Sequence, residues 1–378
     1  MKFSTWSWRR MRMNTYEVEF LIDMLKLYSP SGEESAVAEY LRDTLSRSNF
    51  DVRIDDAGNV IGTYGSGSPT LLLCGHMDTV PGRLEVRLDG DLLYGRGAVD
   101  AKGPLASMIM GSKIPDPDGK IVVACLVDEE GDGKGVKQLI RDNIQADYAI
   151  FGEPSGACNI TIGYKGSLHV YVECITPTAH SSAPWLSSNA IEKTYEFWNS
   201  IKNHSFDCNK VESRFYSVTS CLTTLKGGGT PGLIPSRCEA EIDIRTPPQI
   251  SPEKIIKTMT ELAQDFERRN PDVKIKIRDA GYIPAFEADQ RSILVRALRY
   301  SIRKVCGRIP ILLKKTGTGD MNELGSKLNI PMVTYGPGDS HLDHTPNEHI
   351  SISEYLTSIK VYREVIPMVF KLHRNVGD

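Results

Sequence analysis

The chain has 378 residues, a formal net charge of -3 and 25% charged residues. That length supports a large core and two or three domains, and the near-neutral balance excludes nucleic acid as the main partner. No apolar run approaches a bilayer span, and eight cysteines without a CxxC pair read as reduced, mostly buried thiols of a cytoplasmic protein.

Residues 1–13 hold Trp6, Trp8, Arg9, Arg10 and Arg12, no acidic residue, and no apolar core of a secretory signal. With Met11 and Met13 close behind, this stretch reads as an arm or a mis-assigned start. Val18, Leu21, Ile22, Leu25 and Leu27 then recur at helical spacing and predict an amphipathic helix over 14–28. Ser31 with Glu34 three residues on has the spacing of a capping box and opens a second helix to about Arg47. Short strands follow at 51–54, 59–64 and 70–75, then strands 84–88 and 91–94 about the hairpin signal Asp89-Gly90. A helix is predicted from Lys102 to about Lys113. Strands 121–127 and 148–151 are continuously apolar, as in a sheet covered on both faces. Between them, Gly131 to Gly135 reads as a flexible turn.

The character changes near Tyr164. Residues 166–280 read strand, helix, strand, strand, helix, strand, the split-βαβ order of a compact sandwich. The earlier pattern then resumes, with a helix at 292–306, strands at 310–314 and 331–335, a helix near Met321 and a long helix from about Ser353. The expectation is an α/β, doubly wound mixed sheet (14–165 and 281–378) carrying an inserted ferredoxin-like βαββαβ domain (166–280).

Ligand-type residues recur at the carboxyl ends of the predicted strands, or just past them: His76 and Asp78, Asp100, Glu129 and Glu130, Glu153. In open α/β sheets those ends share one edge. One carboxylate there is commonplace. Four separate acidic sites beside a histidine repel one another and need a cation to balance them. Donors of this type without cysteine suit zinc, cobalt or manganese, and two ions sharing a carboxylate account for the number of acids. In extended chain, residues two apart face the same way, so His76 and Asp78 meet as a ligand and its orienting partner. Adjacent Glu129 and Glu130 face opposite ways, leaving one to bind metal and the other to act as a base. The stretch from Tyr335 to Glu348 adds His341 and His344, which spacing does not separate. His169, His204, His349 and His373 read as structural or solvated. The Gly131–Gly135 run lacks the Ser or Thr and the first glycine of a P-loop. No Gly-x-Ser-x-Gly elbow occurs, and Gly95-Arg96-Gly97 lacks a third glycine.

Five motifs carry a family resemblance: Gly75-His76-Met77-Asp78-Thr79-Val80-Pro81, Tyr94-Gly95-Arg96-Gly97-Ala98-Val99-Asp100, Glu129-Glu130-Gly131, Gly152-Glu153-Pro154 and His344-Thr345-Pro346-Asn347-Glu348. In this order they resemble the M20-type co-catalytic metallopeptidases and deacylases, which include acetylornithine deacetylase and succinyl-diaminopimelate desuccinylase. The resemblance implies a homodimeric amidohydrolase with two divalent ions, Zn2+ or Co2+. It places one ion on His76 and Glu153 and the other on Glu130 and His344, with Asp100 bridging. It implies that Asp78 orients His76 and Glu129 is the general base, and it prefers His344 over His341. The inserted domain corresponds to a dimerisation domain whose histidine, here His180, reaches the partner's active site as an oxyanion donor. Arg245 matches an arginine that grips a substrate carboxylate. The Asn-Val-Ile-Pro of many relatives is Gly232-Leu233-Ile234-Pro235 here, so a substrate-contacting asparagine is absent.

The runs Gly95–Leu105, Thr316–Asn322 and Tyr335–Gly338 look most like a subgroup of hydrolases that release lysine or ornithine from an amino-group carrier protein. A small N-acyl amino acid, as in an acetylornithine deacetylase, or a dipeptide is the rival substrate. A non-catalytic metal-binding scaffold would have no need of Glu129.

Overall fold

The computed structural model describes residues 15–206 and 213–377, so the arm read from residues 1–13 lies outside the described residues. The chain divides into two compact units, one comprising residues up to 163 with 288–314 and 319 onward, the other 164–287 with 315–318.

In chain order the first unit begins with α1 (Thr15–Lys26), α2 (Ser35–Ser46), β1 (Asp51–Ile54), β2 (Val60–Gly65) and β3 (Thr70–His76). The hairpin β4 (Arg87–Asp89) and β5 (Leu92–Tyr94) leads to α3 (Lys102–Ser112), β6 (Lys120–Leu126), α4 (Lys134–Arg141), β7 (Tyr148–Phe151) and β8 (Asn159–Tyr164). The second unit holds β9 (Gly166–Ile175), α5 (Ala190–Lys202), β10 (Thr219–Gly227), β11 (Arg237–Thr246), α6 (Pro252–Arg269), β12 (Lys274–Ile283) and β13 (Phe286–Glu287). The chain then returns to the first unit through α7 (Ile293–Cys306), β14 (Ile311–Lys315), α8 (Asp320–Gly325), β15 (Met332–Thr334), β16 (His349–Ser351) and α9 (Ile352–Gly377).

The first unit is built on a large mixed sheet in the order β1-β2-β6-β3-β7-β15-β8, with β14 also pairing β8. β3 is buried from end to end, as its unbroken apolar sequence requires of a central strand. β6, β3, β7 and β15 run parallel, so their carboxyl ends open on one edge. α3 is wholly buried, its Lys102 included, and is otherwise made of small and apolar residues. A smaller sheet, β16-β5-β4, lies in the same unit.

The second unit has an antiparallel sheet in the order β10-β11-β9-β12. Alternate residues of β9 (Leu168, Val170, Val172, Cys174) and β11 (Cys238, Ala240, Ile242, Ile244) enter one core. α6 contributes Ile255, Met259, Ala263 and Phe266 to that core, one helical stripe, and starts with Ser251 Oγ accepting the Lys254 amide N–H.

Three local expectations fail. α2 begins after Glu34 with no side-chain cap. Ser31 instead donates to Asp78 Oδ2 at 2.6 Å, and Glu34 Oε1 accepts the Gly32 and Asp128 amides, so the apparent capping box is a tether to later loops. The glycines at 131–135 do not form a loose turn: Gly133, at φ 66°, opens α4, and a Cβ at Gly135 would strike the Val127 carbonyl oxygen. Glycine there serves close packing. Finally, β8 is a strand that the pattern of apolar runs does not predict, although Pro154-Ser155-Gly156 marks a turn before it.

Candidate metal centre

The side chains of the centre leave one edge of the large sheet, except Asp100, which, contrary to the expectation from sequence, comes from the segment between β5 of the small antiparallel sheet and α3. His76 ends β3, the Asp128–Glu130 turn follows β6, Glu153 follows β7, and the segment after β15 runs to His344. Glu153 is set by a close backbone approach: a Cβ on Gly336 would lie 2.7 Å from the Glu153 carbonyl oxygen. Tyr335, fully buried, donates its hydroxyl to the Ala157 carbonyl at 2.7 Å and braces the same loop.

His76 Nε2 lies 3.2 Å from Asp100 Oδ1 and 3.5 Å from Glu153 Oε1. His344 Nε2 lies 3.0 Å from Asp100 Oδ2 and 2.8 Å from Glu130 Oε1. Asp100 therefore turns one oxygen to each histidine. Ligand atoms of His76, Asp100 and Glu153 fall within 4.8 Å of one another, as do those of Asp100, Glu130 and His344, and those of His76, Glu129 and Glu130. His341 is apart from the cluster, exposed and held by Asp339 at 2.7 Å. His344 adopts φ 60°, a left-handed conformation that a non-glycine residue holds at some cost and that recurs at functional sites.

Asp78 is fully buried and accepts Ser31 Oγ, the Glu129 amide at 3.1 Å and the Glu130 amide at 3.0 Å. The His76 ring Nδ1 lies 3.0 Å from the Asp78 backbone carbonyl and 3.4 Å from its carboxylate. Nδ1 thus faces the Asp78 acceptors and Nε2 faces the acids, the ring orientation a metal ligand needs. The expectation that Glu129 and Glu130 point apart is corrected here. Asp128 takes φ 61°, the chain turns, and both carboxylates come within reach of His76.

The charges respond to this crowding. Burial disfavours a charged His76, but Glu153, Asp100 and Asp78 outweigh it and hold its pKa well above the usual histidine range. The hydrogen bond to Asp100 is the first cause raising His344 to about 9. Burial opposes an ionised Asp100, yet the two histidine rings hold it well below the usual carboxylate range. Burial, with the charges of Asp100 and Glu130, pushes Glu129 up to about 7. Protonated ring nitrogens thus stand where the carboxylates call for cations, and two trios of histidine and carboxylate donors fit divalent ions of intermediate softness.

Several residues of the site carry no role from the sequence. Asp320, in the first turn of α8, lies near Glu129, and burial first and Glu129 second push its carboxyl well above the usual range. Lys102 donates to the carbonyls of Leu27 at 2.5 Å and Met24 at 3.2 Å, and burial lowers it to about 8. Glu348 and Arg96 tie the Asp100 and His344 segments together. The glycine-rich run before Asp320 and the Glu that closes the His344 motif were the visible signals.

In the second unit His180 is exposed, and its Nδ1 accepts the Ser182 amide at 3.1 Å. Ser181 donates its amide to the Gly232 carbonyl at 2.9 Å, and Gly232, at φ 82°, has open space where a Cβ would stand. Arg245 Nε pairs with Asp243 at 3.0 Å and its Nη1 donates to Thr318 Oγ1 at 3.0 Å.

An α/β unit with paired histidine–carboxylate trios at its strand ends defines a co-catalytic peptidase class. The chain belongs to peptidase family M20/M25/M40, whose model matches residues 72–367, and it is a hydrolase of amide bonds. It is 38% identical over 352 residues to a Pyrococcus abyssi protein provisionally named LysW-lysine/LysW-ornithine hydrolase, covering 93% of each chain. It is 33% identical to the LysW-lysine hydrolase of Deinococcus radiodurans, over 91% of this chain and 94% of that one. In fold it resembles a Staphylococcus aureus tripeptidase (TM-score 0.79, 21% identity, 94% of this chain and 98% of that one). It also resembles a dinuclear metal-binding M20 peptidase of Bacillus subtilis (TM-score 0.74, 13% identity, 95% and 98%). Among the described residues no helix is long and apolar enough to cross a membrane.

Proposed function

We propose that the protein is a di-metal amidohydrolase that releases lysine, ornithine or both from the γ-glutamyl amide of an amino-group carrier protein. It acts as a cytoplasmic homodimer in lysine or arginine biosynthesis. The observation that carries the hydrolytic part is the split of Asp100, one oxygen toward His76 and the other toward His344, with Glu129 beside them. The substrate part is supported by the names of the relatives above.

His76 and Glu153 would hold one ion and Glu130 and His344 the other, with Asp100 shared; Zn2+ or Co2+ suits this donor set. Bound there, two such ions would supply Lewis acidity toward the scissile carbonyl and charge balance for the acids. Glu129 takes a proton from the attacking water and passes it to the departing α-amino nitrogen as the C–N bond breaks. The products are the carrier's glutamate carboxylate and the free amine. Asp78 holds His76 and the 129–130 backbone. His180 of a partner subunit donates to the developing oxyanion. Arg245 binds the amino acid's carboxylate as a planar fork. Open space at Gly232 suits a protein-borne acyl group.

The test is a turnover panel with Zn2+ or Co2+ added, comparing carrier-linked lysine and ornithine with N-acetylornithine, N-succinyl-diaminopimelate and dipeptides. Preference for a carrier-linked substrate is expected; preference for a small acyl group or dipeptide refutes the substrate reading. A Gly232→Asn variant with an unchanged ratio of carrier-linked to small-acyl turnover refutes the role given to Gly232.

A further inference from the structure

β16 pairs antiparallel with β5, placing His349 opposite Tyr94. Beyond that pair the two chains fork. Residues 95–100 run forward to Asp100, and residues 348–344 run back to His344. These segments approach one another without a regular ladder, so something else must fix their separation.

Glu348 stands in the fork and is only 1% exposed. Its Oε1 accepts two amides, Val99 at 2.9 Å and Asp100 at 3.1 Å, and its Oε2 accepts Arg96 Nη1 at 2.8 Å. The same Nη1 donates at 3.2 Å to the carbonyl of Thr345, the residue after His344, while Arg96 Nε donates to the Gly82 carbonyl at 3.1 Å. A buried ion pair whose remaining capacity is spent on backbone groups is a costly arrangement to break, because either partner alone leaves an uncompensated charge.

We propose that Glu348 and Arg96 are positioning residues that hold Asp100 and His344 at a fixed separation and so preform the Asp100–Glu130–His344 trio for a divalent cation. The inference rests on the two-ion reading above. It contains an asymmetry. His76 and Glu153 leave neighbouring parallel strands, β3 and β7, and owe their spacing to the sheet. Asp100 and His344 owe theirs to the ion pair. Asp100 belongs to both trios but His344 to only one, so disturbing the pair should weaken the cation on His344 more than the other.

Glu348→Gln keeps the shape and one acceptor for the two amides but turns an NH2 group toward Arg96, donor against donor. Arg96→Lys keeps the charge but loses the fork that reaches Thr345. The protein, stripped with a chelator, is titrated with Co2+ alone and followed by calorimetry and by visible absorbance. Wild type should take two equivalents. Glu348→Gln should bind one within about threefold of wild type and the other roughly 10- to 100-fold more weakly, the usual size of an outer-sphere effect. Arg96→Lys should show a smaller loss on the same equivalent. Unchanged affinity for both equivalents in Glu348→Gln, or equal weakening of both, overturns the proposal. If Glu348→Gln does not fold, Arg96→Lys decides on the same criterion. A wild-type protein that binds fewer than two equivalents overturns this proposal and the two-ion reading together, whereas two normal equivalents in wild type and both variants overturn this proposal alone.

Discussion

Replacing Asp78 by Asn tests how the base is held in place. The carboxylate accepts Ser31 Oγ and the Glu130 amide on Oδ2 and the Glu129 amide on Oδ1, and the side chain is fully buried. Asparagine has one oxygen to offer. With that oxygen at the Oδ2 position the NH2 group meets the Glu129 N–H. With it at the Oδ1 position the NH2 group suits Ser31 but opposes the Glu130 N–H. Either orientation orphans one buried amide and loses a charge-assisted bond, a local cost of about 2–4 kcal/mol. At about 1.4 kcal/mol per decade, exchange protection of that amide should fall roughly 30- to 800-fold. The His76 ring orientation, fixed in part by the Asp78 main-chain carbonyl, should survive. Native-state hydrogen exchange of metal-free Asp78→Asn, read at 129–131 against β3, is the assay. Wild-type protection at both amides would refute the reasoning, as would an equal loss along β3.

Glu129→Gln should keep both metal equivalents while turnover falls about 10²- to 10⁴-fold, the range of a positioned base; steady-state kinetics beside metal analysis checks it, and near-normal rates sink the mechanism. His180→Ala should cut turnover about 10²- to 10³-fold with metal content intact, and an unaffected rate removes the oxyanion role. In metal-free protein, His344 rises from 6.5 to about 9 on folding. Its protonation therefore stabilises the fold fully below about 6.5, and that contribution is lost as pH rises through 9. His344→Gln should flatten the denaturant-midpoint profile across that window; an identical profile contradicts the shift.

The parts of this protein that were legible in sequence are those fixed by a period or by a strand end. Strand 70–75 announces itself by its apolar run, and His76, Glu153 and the Glu129–Glu130 pair stand where parallel strands finish, whereas Asp100 follows β5 of the small antiparallel sheet. What was not legible depends on backbone turns that side-chain chemistry does not announce. Asp128 adopts a positive φ without being glycine, which brings two neighbouring glutamates to one histidine. His341 and His344 differ by a turn, not by a pattern. Ser31 and Glu34 imitate a cap because tethering a loop and capping a helix call for the same polar residues at the same spacing. Glu348 was visible as the end of the His344 motif, but its role was not, because two of its partners are backbone amides that any sequence supplies and the third, Arg96, is 252 residues away in the chain.

The position of β15 bears on how the chain is made. That strand sits between β7 and β8, yet it is formed by residues 332–334, nearly two hundred residues after β7. During synthesis the whole of residues 164–287, with its own core, leaves the ribosome before β15 exists. The later unit can therefore fold first, while the earlier one waits with the edge of β7 unpaired. Such an open edge is a hazard in a nascent chain. Chains truncated before residue 330 accordingly keep that edge of β7 without its native partner.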